Sequence, residues 1–386
     1  MRLLTIAYVS VDDPADKRAW SGIHFHLVEA LERAGHRVIA IGPLRPQPLL
    51  FLCRLLNQFS LRLLGKRFHY RDSVPMAKAY ARAIERRLKD VEADILLAPA
   101  GLSAIARLRT RLPIVHFNDR SVHGALDYHA VLRDLLPWSR RQSLALELDA
   151  LANAQLTIYT SEWAAAAARK ALPARAQDIV VIPMGANLDP VPPPPPPRGF
   201  PPDTLTLLFI GVDWVNKGGP VAYDTLKDLK RRNIRARLVV CGCTVPAEVN
   251  DPDVVREGFL DKRDPRQHAR LLEHLRTADI FILPTRFEAF GIAFCEAAAY
   301  GIPALGPRTG GVPTIIDDGV TGFLLDPEAG GAAYALRIEE LVHDPERWQR
   351  MRAAARARFE RHFTWDAFVA AAMDQVAARG LVKRSR

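Results

Sequence analysis

The sequence predicts an α/β protein of two Rossmann-like, doubly wound domains facing a central cleft. Three observations carry this. Short apolar runs alternate with amphipathic stretches along the 386 residues, the pattern of a parallel sheet covered by helices on both faces. The alternation occurs twice, once on each side of a proline-rich stretch near mid-chain. The length also suits two domains of roughly 150 residues or more.

In the first half the apolar run LLTIAYV is followed by a polar loop from Asp12 to Gly22. The amphipathic stretch HFHLVEALERAGH comes next, closed by Gly35, and then the run RVIAIG. Strand, loop, helix and strand make one βαβ unit. The runs ADILLAPA, LPIVHF, QLTIYT and DIVVIP extend the sheet. From Pro190 to Pro202 the composition changes to nine prolines. Such a run has almost no amide donors and reads as an extended polyproline spacer between domains; a docking site for a proline-binding module is the alternative. The second half resumes with TLTLLFIG, a loop around Lys217 and a helix opened by Pro220, a residue favoured in the first helical turn. The strands ARLVVCG, VVREGFL, ADIFILP, PALG and GFLL follow. The chain thus divides into 1–188, a linker at 189–203, a second domain at 204–362, and a C-terminal helix in 363–386 able to cross back to the first domain.

Composition excludes several classes. With 49% hydrophobic and 25% charged residues the chain is neither disordered nor collagen-like. No stretch approaches the roughly 18 apolar residues of a membrane span. The run Leu3–Val9 lacks a small-residue cleavage site and reads as a buried first strand, not a signal peptide. The four cysteines show no metal-ligand spacing and are too few for a disulfide framework, so a reducing cytoplasm fits best. A net charge of +10, carried by 43 Arg and ten Lys against 43 acidic residues, favours anionic partners in general. No motif supports nucleic-acid binding. The first loop, SVDDPADKRAWSG, lacks the G-x-G-x-x-G of a nicotinamide-binding dehydrogenase.

The chemistry concentrates between Pro284 and Gly322, in PTRFEAFGIAFCEAAAYGIPALGPRTGGVPTIIDDGVTG. A strand ends at Pro284, a loop carries Glu288, and a helix starts near Phe290–Gly291 and ends at Gly301. Free amides at that start, including those of Gly291 and Ile292, form a ready phosphate site. Glu288 precedes the helix and Glu296 rides on it, eight residues or about 12 Å away. That is about the distance between the hydroxyl-bearing ends of a sugar nucleotide whose diphosphate rests on the helix start. One carboxylate can then grip ribose hydroxyls and the other can reach the sugar. Two surface glutamates on an amphipathic helix are the plain alternative.

Glu288, Phe290, Gly291, Glu296, Ala297, Ala299, Gly301 and Pro303 stand in one phrase that resembles the Glu-x7-Glu signature of the retaining GT-B glycosyltransferases of family 4. TGGVP and DDGVTGFLL resemble that family's next two loops. The first half of the chain matches in layout and scattered loops. The resemblance implies a glycosyltransferase that moves a sugar from a nucleotide-diphosphate donor to a carbohydrate or lipid-linked acceptor with retained configuration, in cell-envelope polysaccharide or glycolipid synthesis, without a metal. It implies donor-phosphate contacts from the loop GVDWVNKGG, with Gly211 at its start and Lys217 as the basic group. It further implies a donor or acceptor contact at Ser21–Gly22, where a helix N-cap serine is an equally good reading. In PIVHFNDRS the acceptor-side residue is one of His116, Asn118 and Asp119, with Asp119 at the strand tip the choice; a helix cap before Ser121 is the alternative reading of Asp119. Val212 stands where members often carry Arg, and Thr314 where many carry Glu. Two rivals stay open: an epimerase or phosphorylase of similar architecture, and a non-catalytic binding protein that kept the fold.

Other motifs read as structural. Asp251-Pro-Asp253 lies in a polar turn of ordinary turn formers. His24 and His26, two apart on a helix, do not share a face. Cys241 and Cys243 end an apolar strand, where buried thiols are the default. The stretch 48–71 reads as a basic amphipathic helix. It is either peripheral at the inner membrane face or packed on the core with basic residues in solvent.

Overall fold

The computed structural model describes residues 3–382 other than Asp127 and His129. The chain forms two compact units, Met1–Pro183 with Trp365–Arg386, and Met184–Thr364. Each is built on one six-stranded sheet in which every pairing is parallel.

In the first unit the strands are β1 (Thr5–Tyr8), β2 (Arg37–Ala40), β3 (Ile95–Pro99), β4 (Ile114–Asn118), β5 (Leu156–Tyr159) and β6 (Ile179–Val181), in the order β2-β1-β3-β4-β5-β6. The central strands β3, β4 and β5 are buried at every residue, which explains why apolar side chains dominate them. Strand order reverses between β1 and β3. The helices that follow those two strands leave on opposite faces and open a crevice at the carboxyl ends. The last helix, Trp365–Ala378, belongs to this unit. Phe368 lies against Phe117 of β4, ring centroids 4.7 Å apart, and Asp366 pairs with Arg33 of helix Ile23–Arg33.

The second unit holds β7 (Leu205–Ile210), β8 (Ala236–Cys241), β9 (Val254–Gly258), β10 (Ile280–Ile282), β11 (Ala304–Pro307) and β12 (Gly322–Leu325), in the order β12-β11-β10-β7-β8-β9. Here the reversal falls between β7 and β10. The two loops that leave this pair carry the residues of interest.

Two sequence expectations change. The proline-rich stretch is not a free spacer, and the division between units falls at Pro183/Met184, ahead of it. Prolines offer carbonyl acceptors with no amide donors, and the arginine-rich helix Pro345–His362 supplies the donors. Arg356 donates to the carbonyls of Pro192 and Pro193, Arg352 to that of Pro196. Phe200 stacks on the buried Trp348 at 4.1 Å, and Arg198 pairs with Asp279 at 2.9 Å. The helix expected over 48–71 spans only Gln47–Leu64 and stops at Gly65, whose φ of 63° caps it in the left-handed region.

Two histidines of the first unit are held neutral. His116 is wholly buried in β4, its Nδ1 3.1 Å from the carbonyl oxygen of Ala98. His24 sits 2.9 Å from the Tyr8 hydroxyl through Nδ1. Burial pushes both imidazoles down to about 4, against an opposing pull from the Ala98 carbonyl on His116 and from Asp12 on His24. Below pH 6.5 the unfolded chain takes up protons that the native one refuses, so stability falls with pH until about 4 is reached. At pH 5 the expected loss is about 2 kcal/mol per histidine. The urea midpoint is therefore expected to drop clearly between pH 7 and pH 5; a flat midpoint contradicts the assignment.

Candidate active site

The site in the second unit grows from the β7–β10 pair, where Leu207 is opposite Ile280 and Leu208 opposite Phe281. Gly211 follows β7, and its loop ends at Gly218, the N-cap of helix Gly219–Arg231. The loop after β10 runs to Gly291, the N-cap of helix Ile292–Ala299. The two loops are bonded together: Arg286 donates its amide to the Asn216 carbonyl at 3.0 Å, and the Thr285 hydroxyl reaches the same oxygen at 3.3 Å. Lys217 Nζ lies 2.6 Å from Glu288 Oε2, both side chains mostly shielded. Residues 71 positions apart in sequence thus meet at the point where the strand order reverses, the usual ligand position in open α/β sheets.

Helix Ile292–Ala299 starts without a side-chain cap, from Gly291 at φ 107°. A β-carbon at Gly291 would come within 2.8 Å of the Phe294 ring and 3.2 Å of Glu288 Cγ, so glycine lets the backbone pass beside the carboxylate. Phe290 is buried just before it. The uncapped amides carry the positive end of the helix dipole. Glu296 is only 4% exposed, and its Oε1 accepts a hydrogen bond from Lys262 Nζ at 2.7 Å; Lys262 also reaches the Asn187 carbonyl at 3.4 Å. Lys262, the partner of this candidate glutamate, is a residue that the sequence alone does not single out. Its signal was a basic residue in the loop beyond the carboxyl end of β9. Val212 is 73% exposed and adds no charge to the loop.

In the first unit, Trp20, Ser21 and Gly22 follow one another with φ of 47°, 57° and 88°. Two non-glycine residues in the left-handed region store backbone strain, a feature that concentrates at functional sites. Gly22 is the N-cap of helix Ile23–Arg33 and no side chain caps it, so Ser21 is not an N-cap. Trp20 Nε1 donates to Asp119 Oδ2 at 3.4 Å, which joins the loop after β1 to the tip of β4. Desolvation raises the Asp119 carboxyl above its usual range, against the pull of Arg120 and the Trp20 bond. Asp119 is not the cap of the next helix either. Ser121 accepts from Gly124 N, while the buried Glu147 accepts from the amides of Val122 and His123. His116 faces the core.

The remaining motifs have structural partners. Lys230 bridges Asp251 and Asp253 at 2.7 and 2.5 Å. All four cysteines are buried and free of disulfides, and burial pushes the thiols of Cys241 and Cys243 up to about 12 and about 11. Among the described residues no group of three or more His, Cys, Asp or Glu is placed to hold a metal ion.

Comparison with known proteins agrees with this architecture. The family profile "Glycosyltransferase Family 4" matches residues 25–190, and "Glycosyl transferases group 1" matches residues 195–358. A D-inositol 3-phosphate glycosyltransferase of Xylanimonas cellulosilytica is 33% identical over 218 residues, 51% of this chain and 50% of that protein. The enzyme of the same name from Streptomyces avermitilis is 32% identical over 234 residues, 54% and 48% of the two chains. The chain spans about half the length of the curated relatives it matches. Among solved structures, sucrose-phosphate synthase from Thermosynechococcus elongatus superposes with a TM-score of 0.67 at 20% identity, over 98% of this chain and 99% of that one. Anabaena Alr3699/HepE, solved with UDP and glucose, gives 0.65 at 16% identity over 97% and 100%. With two six-stranded parallel sheets and family profiles spanning both halves, the chain belongs to family 4 of the glycosyltransferases and has the GT-B fold.

Proposed function

We propose that this protein transfers a sugar from a nucleotide-diphosphate sugar to an acceptor hydroxyl with retention of anomeric configuration, in the synthesis of a cell-envelope polysaccharide or glycolipid. The observation that carries the reading is the meeting of Lys217 and Glu288 at the reversal of the second sheet, beside an uncapped helix start. A diphosphate on the amides of Gly291 and Ile292 draws Lys217 toward itself and frees Glu288 to face the sugar. Charge that accumulates on the leaving diphosphate then meets a lysine and oriented dipoles already in place, commonly the largest catalytic term. Glu296, braced by Lys262, holds the ribose hydroxyls. Asp119 is assigned to the acceptor, and Ser21 and Gly22, in the loop beside it, to a donor contact. The charge is met without a metal ion, so chelation with EDTA leaves the rate unchanged.

The names of the relatives guide the choice of substrates. UDP and glucose are named for the Anabaena protein and inositol 3-phosphate for the curated relatives, so a uridine diphosphate sugar and a polyol acceptor are the first to try. A donor present at a hundred times its Kd is expected to raise Tm by roughly 5–10 °C. Incubation with acceptor should then yield nucleoside diphosphate and a glycosylated product. An isomerised nucleotide sugar, or a requirement for inorganic phosphate, would replace this reading by an epimerase or a phosphorylase; binding without turnover would leave a non-catalytic protein.

A further inference from the structure

Helix Gln47–Leu64 is apolar nearly all round, a composition that normally signals complete burial, yet only one face of it is covered. Its inner face is pinned: Cys53 is 3% exposed, Asn57 Oδ1 accepts from Phe68 N at 2.9 Å, and the Ser60 hydroxyl donates to the Lys66 carbonyl at 2.6 Å. Over much of the remaining circumference, at about 100° per residue, Phe51, Leu52, Leu55, Leu56, Phe59 and Leu63 form a continuous stripe, each between 50% and 66% exposed. Scattered exposed leucines need no explanation, but a contiguous patch of this kind marks an interaction surface.

The charges around the stripe have one sign. Arg45, Arg54, Arg62 and Lys66 are exposed, and no acidic residue occurs from Leu44 to Arg71. Among the described residues none of these four cations has an acidic partner. A second copy of the chain would bring the same cations against its own and repel. A bilayer surface bearing anionic lipid accepts both features, with the apolar stripe in the acyl boundary and the cations at the phosphates. We infer that helix Gln47–Leu64 docks this protein on an anionic membrane surface. The inference stands apart from the sugar-transfer reading, since it uses no residue of the second unit.

The test is co-sedimentation of the full chain with vesicles of phosphatidylcholine alone, or of phosphatidylcholine and phosphatidylglycerol at about 7:3, over a salt series. Binding is expected to the anionic vesicles, at least tenfold weaker on the neutral ones and weakening as salt rises. L55E/F59E should lose at least tenfold in binding with an unchanged melting curve, because both side chains already face solvent. R54E/R62E should lose the preference for anionic lipid. Equal binding by L55E/F59E and the parent chain, or no vesicle binding at all, would overturn the inference. A dimer in sedimentation velocity that L55E/F59E dissolves, without vesicle binding, would overturn it in favour of a second copy.

Discussion

Lys217→Ala is expected to lower sugar transfer by about 10²–10³-fold, the usual cost of removing one group that stabilises transition-state charge. The fold should survive. Lys217 sits in a loop and is part-exposed, so its loss leaves Glu288 with access to water and costs about 1–2 kcal/mol. Lys217→Arg keeps the charge but not the compact ammonium, and should restore only part of the rate. Comparing transfer and melting curves for the three proteins separates a chemical role from a structural one. Turnover near the parent value in Lys217→Ala would remove the mechanism.

Gly218→Ala should be the most damaging single methyl in the second unit. Gly218 has φ 80°, and an added β-carbon would lie 1.9 Å from the Pro284 carbonyl oxygen and 2.4 Å from its carbon. Both obstacles are backbone, so no rotamer change relieves the clash. The loop after β7 has to lift away from the loop after β10, which parts Lys217 from Glu288. A destabilisation of about 3 kcal/mol or more is expected, with activity lost at least as completely as in Lys217→Ala. Melting curves and the transfer assay together check this; a variant with the parent Tm and rate would show that the two loops are not locked together at this contact.

These two predictions also mark what was legible in the sequence. Strands such as β3 and β10 announced themselves as apolar runs, because a strand buried on both faces has no polar alternation to blur it. Pro220 and Gly291 marked where helices begin. Strand order was not legible, since the register of crossovers lies in no local pattern. The pairing of β7 with β10 brings Lys217 beside Glu288. Lys262 was hidden in DKRD, which looks like an ordinary polar turn before a helix capped by Asp264. Its meaning comes from reaching Glu296, 34 residues away. The polyproline stretch was misread for a related reason. The donors to its carbonyls, Arg352 and Arg356, lie 156 and 164 residues further along the chain, on a helix. Trp20 drew no notice as a lone loop aromatic, although its indole ties the strained first loop to Asp119.

Titration calorimetry with a nucleoside diphosphate and its unphosphorylated nucleoside, on the parent chain, Lys217→Ala and Glu296→Ala, bears most directly on the proposed donor geometry. The diphosphate should bind one to one. Lys217→Ala should weaken the diphosphate at least tenfold and leave the nucleoside unaffected, whereas Glu296→Ala should weaken both. Equal diphosphate affinity in Lys217→Ala and the parent chain would contradict a diphosphate seated between that lysine and the start of helix Ile292–Ala299.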